Sequence, residues 1–210
     1  CKYFLKMDIK QFFNSVQHDR LYRMLELYIH DEKMLDLMHK VIDSTKVGLP
    51  LGFHTSHWLA NWYLQGLDRY IKQTLKAKHY IRYMDDMIIF GPNKRKLHEM
   101  RRKIEEFLNG LGLRMKENWQ LKRFDYNGRG KDLDFMGFRF FRNKTILRKM
   151  VMYRMCRRAR RIWKKGKPTI YDCRQMMSAL GLLNASDTYG MYLTHIKPFI
   201  NFQQMKRRVS

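Results

Sequence analysis

Apolar residues fall in two rhythms along this chain. Tyr3 to Ile9 is a short apolar run that reads as a buried strand. Asp19–Tyr28 and Lys33–Ile42 carry apolar residues three and four apart (Leu21, Met24, Leu25; Leu35, Met38, Val41, Ile42), which predicts two helices. Gly48, Pro50 and Gly52 then break the chain. Thr55 or Ser56 is the expected cap of a long helix reaching about Leu75, with Leu59, Trp62, Tyr63, Leu67 and Ile71 on one stripe. Tyr80–Tyr83 and Met87–Phe90 are β-type runs on either side of Asp85-Asp86, the pattern of a hairpin. Lys94–Leu111 is a charged amphipathic helix stopped by Gly110 and Gly112. Leu133–Arg142 and Thr145–Leu147 read as a second hairpin, and three helices follow at about 150–164, 170–183 and 187–200. The order predicts an α+β fold: an antiparallel sheet with helices on one face, then a helical module.

Charge sharpens this picture. Lys and Arg number 43 against 19 Asp and Glu, a formal net charge of +24 in 210 residues. Such a surface makes a polyanion the default partner, and nucleic acid is the commonest. Hydrophobic residues at 45% exclude a disordered basic tail. From Thr145 onward 15 Lys and Arg face only Asp172 and Asp187, so +13 of the charge lies in the last third. That shift marks a domain boundary at residues 144/145, giving units 1–144 and 145–210. No run approaches the roughly 18 apolar residues of a membrane helix, so no membrane partner is expected. Cys1, Cys156 and Cys173 make no C-x-x-C pair, which excludes a zinc ribbon and fits a reducing cytoplasmic compartment.

Three carboxylates carry the candidate chemistry. Asp8 ends the first strand, and Asp85 and Asp86 occupy the hairpin turn. If the first strand lies beside the hairpin, these acids meet at one sheet edge. Clustered carboxylates raise each other's pKa unless a cation lies between them. Hard divalent ions take such oxygens and complete their shell with substrate phosphates. A paired acid turn is more often simply solvated. Here Tyr83-Met84-Asp85-Asp86 follows Asp8-x-x-x-Phe12-Phe13 and Gly48-Leu49-Pro50-x-Gly52, which favours a nucleotidyl transferase.

Taken together these motifs resemble the reverse transcriptase family. Tyr83-Met84-Asp85-Asp86 matches its Y-x-D-D box, and Met7–Asn14 is similar to its upstream Asp motif. Leu49–His57 resembles the loop-to-helix motif between them, Leu111–Lys116 the motif that follows, and Phe135-Met136-Gly137-Phe138 the primer-grip hairpin. The resemblance implies a palm sheet with packed helices followed by a helical, basic thumb. It implies RNA-directed DNA synthesis from dNTPs on an RNA template and DNA primer, with two Mg²⁺ ions or Mn²⁺ in their place. Asp8 and Asp85 would hold both ions, with the Ile9 carbonyl adding an oxygen and Asp86 in support. Phe13 would lie under the sugar and exclude a 2′-hydroxyl; a core aromatic is its equal alternative. Tyr83 would touch the primer end, while Gly52 and Ser56 shape the substrate loop. Lys116 would protonate the leaving pyrophosphate, against the alternative of a solvated surface lysine.

The family's loop motif usually has Gln before Gly52 and Pro after Ser56; here Leu51 and His57 stand there. Loss of Gln is typical of diversity-generating retroelement enzymes of bacteria and phages. That resemblance implies a small basic accessory protein and error-prone copying opposite adenine. Group II intron-type and retron-type enzymes are the alternatives, as is a non-catalytic RNA-binding maturase-like module. The family's fingers subdomain precedes the Asp8 motif and is missing from this chain, so the isolated chain is expected to bind nucleotide poorly. Arg154, Arg157, Arg158, Arg161, Lys164 and Lys165 share one predicted helix and are the candidate contacts to an RNA–DNA hybrid. Met152, Met155, Ala159, Ile162 and Trp163 are left for packing, and Tyr171, Tyr189, Tyr192 and Phe199 are expected in the thumb core.

Overall fold

The structure is a computed structural model that describes residues 1–124 and 130–209. It divides into two compact units, Cys1–Arg123 and Phe124–Ser210. The shift in charge at 144/145 falls inside the second unit.

In the first unit, β1 (Tyr3–Met7), β2 (His79–Tyr83), β3 (Asp86–Gly91) and β4 (Gln120–Arg123) form an antiparallel sheet in the order β2-β3-β1-β4. β1 is central, and burial on both of its faces explains why consecutive residues Tyr3, Phe4 and Leu5 are apolar. Leu5 and Met7 point to the helix-covered core, while Phe4 is buried on the other face. β4 has one apolar residue, Leu121, and carries no strand signal in the sequence.

The helices α1 (Phe12–Ser15), α2 (His18–Glu26), α3 (Glu32–Ile42), α4 (His54–Tyr63), α5 (Gln65–Arg69) and α6 (Lys94–Gly110) supply the rest of that core. α6 buries Leu97, Met100, Ile104 and Leu108 and ends as its glycines require. Gly112 takes φ +74, its N–H bonds to the Asn109 carbonyl, and Leu113 N–H bonds to Leu108, each at 2.9 Å.

The long helix expected from Thr55 to Leu75 is interrupted. It runs as α4, then α5, then a π-helical turn over Tyr70–Thr74. The cause is legible in the spacing. Leu59, Tyr63, Leu67, Ile71 and Leu75 recur every four residues, and an unbroken helix of 3.6 residues per turn would rotate them out of the core. The break and the wider π turn keep all five buried. Nor does Ser56 cap α4. Phe53 is at the N-cap without a side-chain bond, and Ser56, inside the first turn, donates its hydroxyl to the Pro50 carbonyl at 2.5 Å.

In the second unit β5 (Leu133–Phe135), β6 (Phe138–Phe140) and β7 (Thr145–Leu147) form a three-stranded sheet, so the Leu133–Arg142 run is two strands rather than one. Met136 and Gly137 both have positive φ, as a two-residue hairpin loop of the primed type demands. α7 (Lys149–Lys165), α8 (Ile170–Asn184), α9 (Tyr189–His195) and α10 (Phe202–Val209) follow. Their core takes Met152, Met155, Ala159 and Ile162 from α7 and Cys173, Met176, Ala179 and Leu183 from α8. Trp163, Tyr171 and Tyr189 are exposed, contrary to expectation, and only Tyr192 and Phe199 of the expected aromatics pack on this core. Residues 171 and 189 lie on the solvent sides of their helices, which helical spacing alone does not reveal.

Gly48 is fixed by close approach. With φ +70, a Cβ there would stand 2.2 Å from the Phe13 carbonyl oxygen and 2.5 Å from the Asn14 Cα. Gly48→Ala is expected to destabilise the fold by about 2–4 kcal/mol. Gly181 lies within α8 with nothing near its missing Cβ. Gly181→Ala is expected to stabilise by about 0.5–1 kcal/mol. Urea denaturation midpoints of the two variants should move in opposite directions.

Candidate active site

The site lies where β1 and the β2–β3 hairpin end together. Met7 pairs with Met87, and Asp8 follows immediately. Tyr83 pairs with Asp86, so the hairpin loop is Met84-Asp85 and Asp86 is already the first residue of β3, not part of the turn. Met84 has φ 53, a conformation that costs a side-chain-bearing residue about 1–2 kcal/mol. On the other side of Asp8, an isolated bridge pairs Ile9 with Met115. Lys116 N–H donates to the Asp8 carbonyl and Lys10 N–H to the Arg114 carbonyl, each at 2.8 Å. That bridge brings Lys116 to Asp8 across 108 residues of sequence.

Electrostatics agree with the proximity. Burial pushes the Asp85 carboxyl above its usual range; a backbone hydrogen bond opposes this, and Asp8 and Asp86 add to the rise. The Lys116 ammonium donates to Asp8 Oδ2 at 2.5 Å. This bond raises its pKa, burial works against it, and the charges of Asp8, Asp85 and Asp86 reinforce it. Lys6 lies 3.8 Å from Asp86. Asp8, Asp85, Asp86 and Lys116 are therefore one cluster, and Lys116 is a partly buried partner of Asp8 rather than a free surface lysine.

Around this cluster, Phe13 meets His57 edge-on with ring centroids 5.6 Å apart. It packs against the core without being buried in it. Ile9 has its side chain fully in the core, which leaves only its backbone to face a ligand. Tyr83 is 53% exposed beside the turn. The Gly48–Gly52 loop is strapped to α1 by Leu49 N–H to the Phe13 carbonyl at 2.8 Å. His18 Nε2 lies within hydrogen-bond distance of the Gly48 carbonyl, at 2.6 Å. Leu51 projects from this loop, 73% exposed. Gly52 takes φ +93 with open space where a Cβ would be. Ser56 is buried and holds the loop through Pro50, which makes it a support of the loop and not a surface a substrate can touch.

One group escaped sequence reasoning. Arg82, on the helix side of β2, binds Asp68 of α5 and Asn61 of α4, and its Nη1 donates to the Met84 carbonyl at 3.1 Å. Its signal was the strand alternation, which sends residue 82 away from Tyr83 and toward the helices.

In the second unit Phe135 is buried, Met136 exposed, Gly137 accepts from Arg148 N–H at 2.8 Å, and Phe138 packs against the core. Arg154, Arg157, Arg158 and Arg161 form one stripe of α7 and, with Tyr171 and Gln175, line an open groove of about 460 Å³. Lys164 is exposed. Lys165 donates to Asp172 at 2.9 Å. That bond and those from Thr169 hold the Asp172 carboxyl down at about 2.

Among the described residues no three His, Cys, Asp or Glu side chains form a ready-made metal cage. Asp8 Oδ1, however, is buried and lacks a hydrogen-bond partner. An orphaned carboxylate oxygen beside a second carboxylate fits a hard cation that completes its shell with water and phosphate. No helix among the described residues is long and apolar enough to cross a membrane.

The family model described as reverse transcriptase (RNA-dependent DNA polymerase) matches residues 1–128. Over 104 residues the chain is 32% identical to the retron Ec73 reverse transcriptase of Escherichia coli, covering 42% of this chain and 32% of that protein. Over 121 residues it is 32% identical to the group II intron-encoded protein LtrA of Lactococcus lactis, covering 53% of this chain and 20% of that one. The chain thus spans a third or less of these relatives. Its fold is similar to that of an apo telomerase from Candida tropicalis (TM-score 0.55, 18% identity, 66% of this chain and 34% of that one). It is also similar to the foamy viral protease-reverse transcriptase in complex with RNA/DNA hybrid (TM-score 0.51, 15% identity, 99% and 27%). With the family model covering more than half its residues, and the Y-x-D-D turn set beside the first-strand aspartate, this chain belongs to the reverse transcriptase family.

Proposed function

We propose that this chain is the palm and thumb portion of an RNA-directed DNA polymerase, adding dNTPs to a DNA primer on an RNA template. The observation that carries the reading is the meeting of Asp8, Asp85 and Lys116 at one sheet edge. Asp8 and Asp85 would hold two Mg²⁺ ions, or Mn²⁺, with the Ile9 carbonyl and Asp86 assisting. When bound, the ions supply activation of the primer hydroxyl and stabilisation of the departing pyrophosphate. Lys116, kept protonated by Asp8, is a proton source for that leaving group. Phe13, braced by His57, limits the room beneath the sugar. Tyr83 and the Gly52 loop offer exposed surface to the primer end and the new base pair.

The hairpin Phe135–Phe138 would grip the primer strand. Arg154, Arg157, Arg158 and Arg161, with Lys164, would contact the hybrid's backbone, while Lys165 is already engaged with Asp172. Leu51, where the family usually has Gln, supports an origin in a diversity-generating retroelement. An accessory protein and low fidelity opposite adenine belong to that finer reading.

Primer extension on an RNA template by the full-length chain is expected to fall to background in Asp8→Asn and Asp85→Asn. Retained activity in Asp85→Asn would remove the polymerase reading. Phe13→Ala is expected to relax discrimination against ribonucleotides by about 10-fold or more. Misincorporation opposite adenine should drop in Leu51→Gln, and an unchanged error spectrum would remove the retroelement subtype.

The raised Asp85 pKa has a sign that can be checked. A carboxyl that binds its proton more tightly in the folded state favours the fold at low pH. This contribution is lost as pH rises through the raised value. At neutral pH without divalent ions, Asp85→Asn should therefore melt at or above the wild-type temperature, with the gap closing on acidification. Mg²⁺ should raise the melting temperature of the wild type but not of the variant.

Removing one phosphate-binding cation from α7 should lower the slope of log K against log salt by about 0.7–0.9. Arg154→Ala and Arg161→Ala are expected to do so in hybrid-binding titrations, independently of template sequence.

A further inference from the structure

We infer that Arg82 is the positioning residue of the catalytic turn: its guanidinium ties the Met84 carbonyl, immediately before Asp85, to Asn61 of α4 and Asp68 of α5. It thereby sets where the Asp85 carboxylate stands opposite Asp8. As a role in catalysis this rests on the polymerase reading; as a statement about the turn it does not.

The need for such a tie follows from the sheet. β2 is an edge strand, so the β2–β3 turn has a neighbour on one side only. The turn carries Met84 at φ 53, a conformation that persists only where surrounding bonds enforce it. It also carries a carboxylate that Asp8 and Asp86 repel. A hairpin loop under both loads would relax away from Asp8 unless it were anchored from behind.

Arg82 supplies that anchor with every donor it has. Nε donates to Asp68 Oδ1 at 2.8 Å and Nη2 to Asp68 Oδ2 at 2.5 Å. Nη1 donates to Asn61 Oδ1 at 2.9 Å and to the Met84 carbonyl at 3.1 Å, and Nη2 reaches the Asn61 carbonyl at 3.5 Å. Five N–H groups thus meet five acceptors, and the side chain is only 9% exposed. Tyr80 shares one of these acceptors, donating to Asp68 Oδ1 at 2.7 Å, but makes no bond to the turn itself. A lysine has three donors on a flexible stem and cannot reproduce this planar fork. The same guanidinium links the turn to α4, the helix that begins at the Gly48–Gly52 loop, so the catalytic turn and the substrate loop share one rigid support.

The test compares Arg82→Lys with Tyr80→Phe in the full-length chain. Steady-state primer extension, hybrid binding, thermal melting and amide hydrogen exchange of the segment 80–88 are measured for both. Arg82→Lys is expected to lower kcat by about 10- to 100-fold, the scale of a small misplacement of a reacting group. KM for dNTP and hybrid affinity, measured well below the variant's lowered melting temperature, should stay near wild type, and exchange should rise at the turn. Tyr80→Phe, which touches Asp68 but not the turn, should keep near-wild-type kcat and turn protection. Should Arg82→Lys fail to fold, Asn61→Ala removes an acceptor from Nη1 and is expected to show the same pattern at smaller size.

Wild-type kcat in a folded Arg82→Lys protein, or a loss of kcat without faster exchange at the turn, would overturn the inference. So would losses in both variants that track melting temperature alone. If the wild-type chain makes no DNA yet Arg82→Lys still loosens the turn, the polymerase reading fails and the positioning role stands.

Discussion

The structure turns on holding like charges together. Asp8 and Asp85 reach the same sheet edge because β1 pairs with β3 up to Met7 and Met87, and nothing in the carboxylates themselves favours the meeting. The opposing force is visible in the raised Asp85 pKa. Two ammonium groups offset it: Lys116 on Asp8 and Lys6 near Asp86. Backbone geometry supplies the rest. Asp8 is pinned on one side by the β3 ladder and on the other by the Ile9–Met115 bridge, so its position is set before any side chain interacts. The cations proposed for this site would remove the repulsion without requiring the backbone to move.

The helical layer serves the same end. Apolar residues every four positions from Leu59 to Leu75 force the break between α4 and α5 and the π turn that follows. Asn61 and Asp68 lie on either side of that break, and both face Arg82. A continuous helix would separate two residues seven apart by about 20° of rotation while driving Leu75 out of the core. The irregularity that sequence patterning smooths over is thus compatible with a well-packed core and with both acceptors of the anchor.

How much of this could be read in advance depended on whether the signal was local. The Y-x-D-D turn announced itself because two β runs flank it, and β1 because it is apolar on both faces. β4 stayed hidden: Gln120–Arg123 is polar and becomes a strand only by pairing with β1. α10 also escaped notice, since only Met205 of its eight residues is buried. Thr55 and Ser56 both suit a cap by residue type, yet α4 has Phe53 at its N-cap and tertiary packing uses the Ser56 hydroxyl on Pro50 instead. Arg82 looked like one more surface cation in a chain of +24. Its acceptors lie 14 and 21 residues back and become neighbours only after folding.

The second unit shows the reverse balance between stability and binding. α7 begins at Lys149 with no acid in its first turn and no side-chain cap at Arg148, both unfavourable at the positive end of a helix. Its cations Arg154, Arg157, Arg158 and Arg161 crowd one stripe and repel. The opposite stripe, Met152, Met155, Ala159 and Ile162, is buried and must carry the helix by packing alone. Acids placed among those arginines would have made a better isolated helix. They would also cancel the field that the phosphate backbone of the proposed hybrid would meet, so the local defects of α7 are what that proposed role would require of the helix.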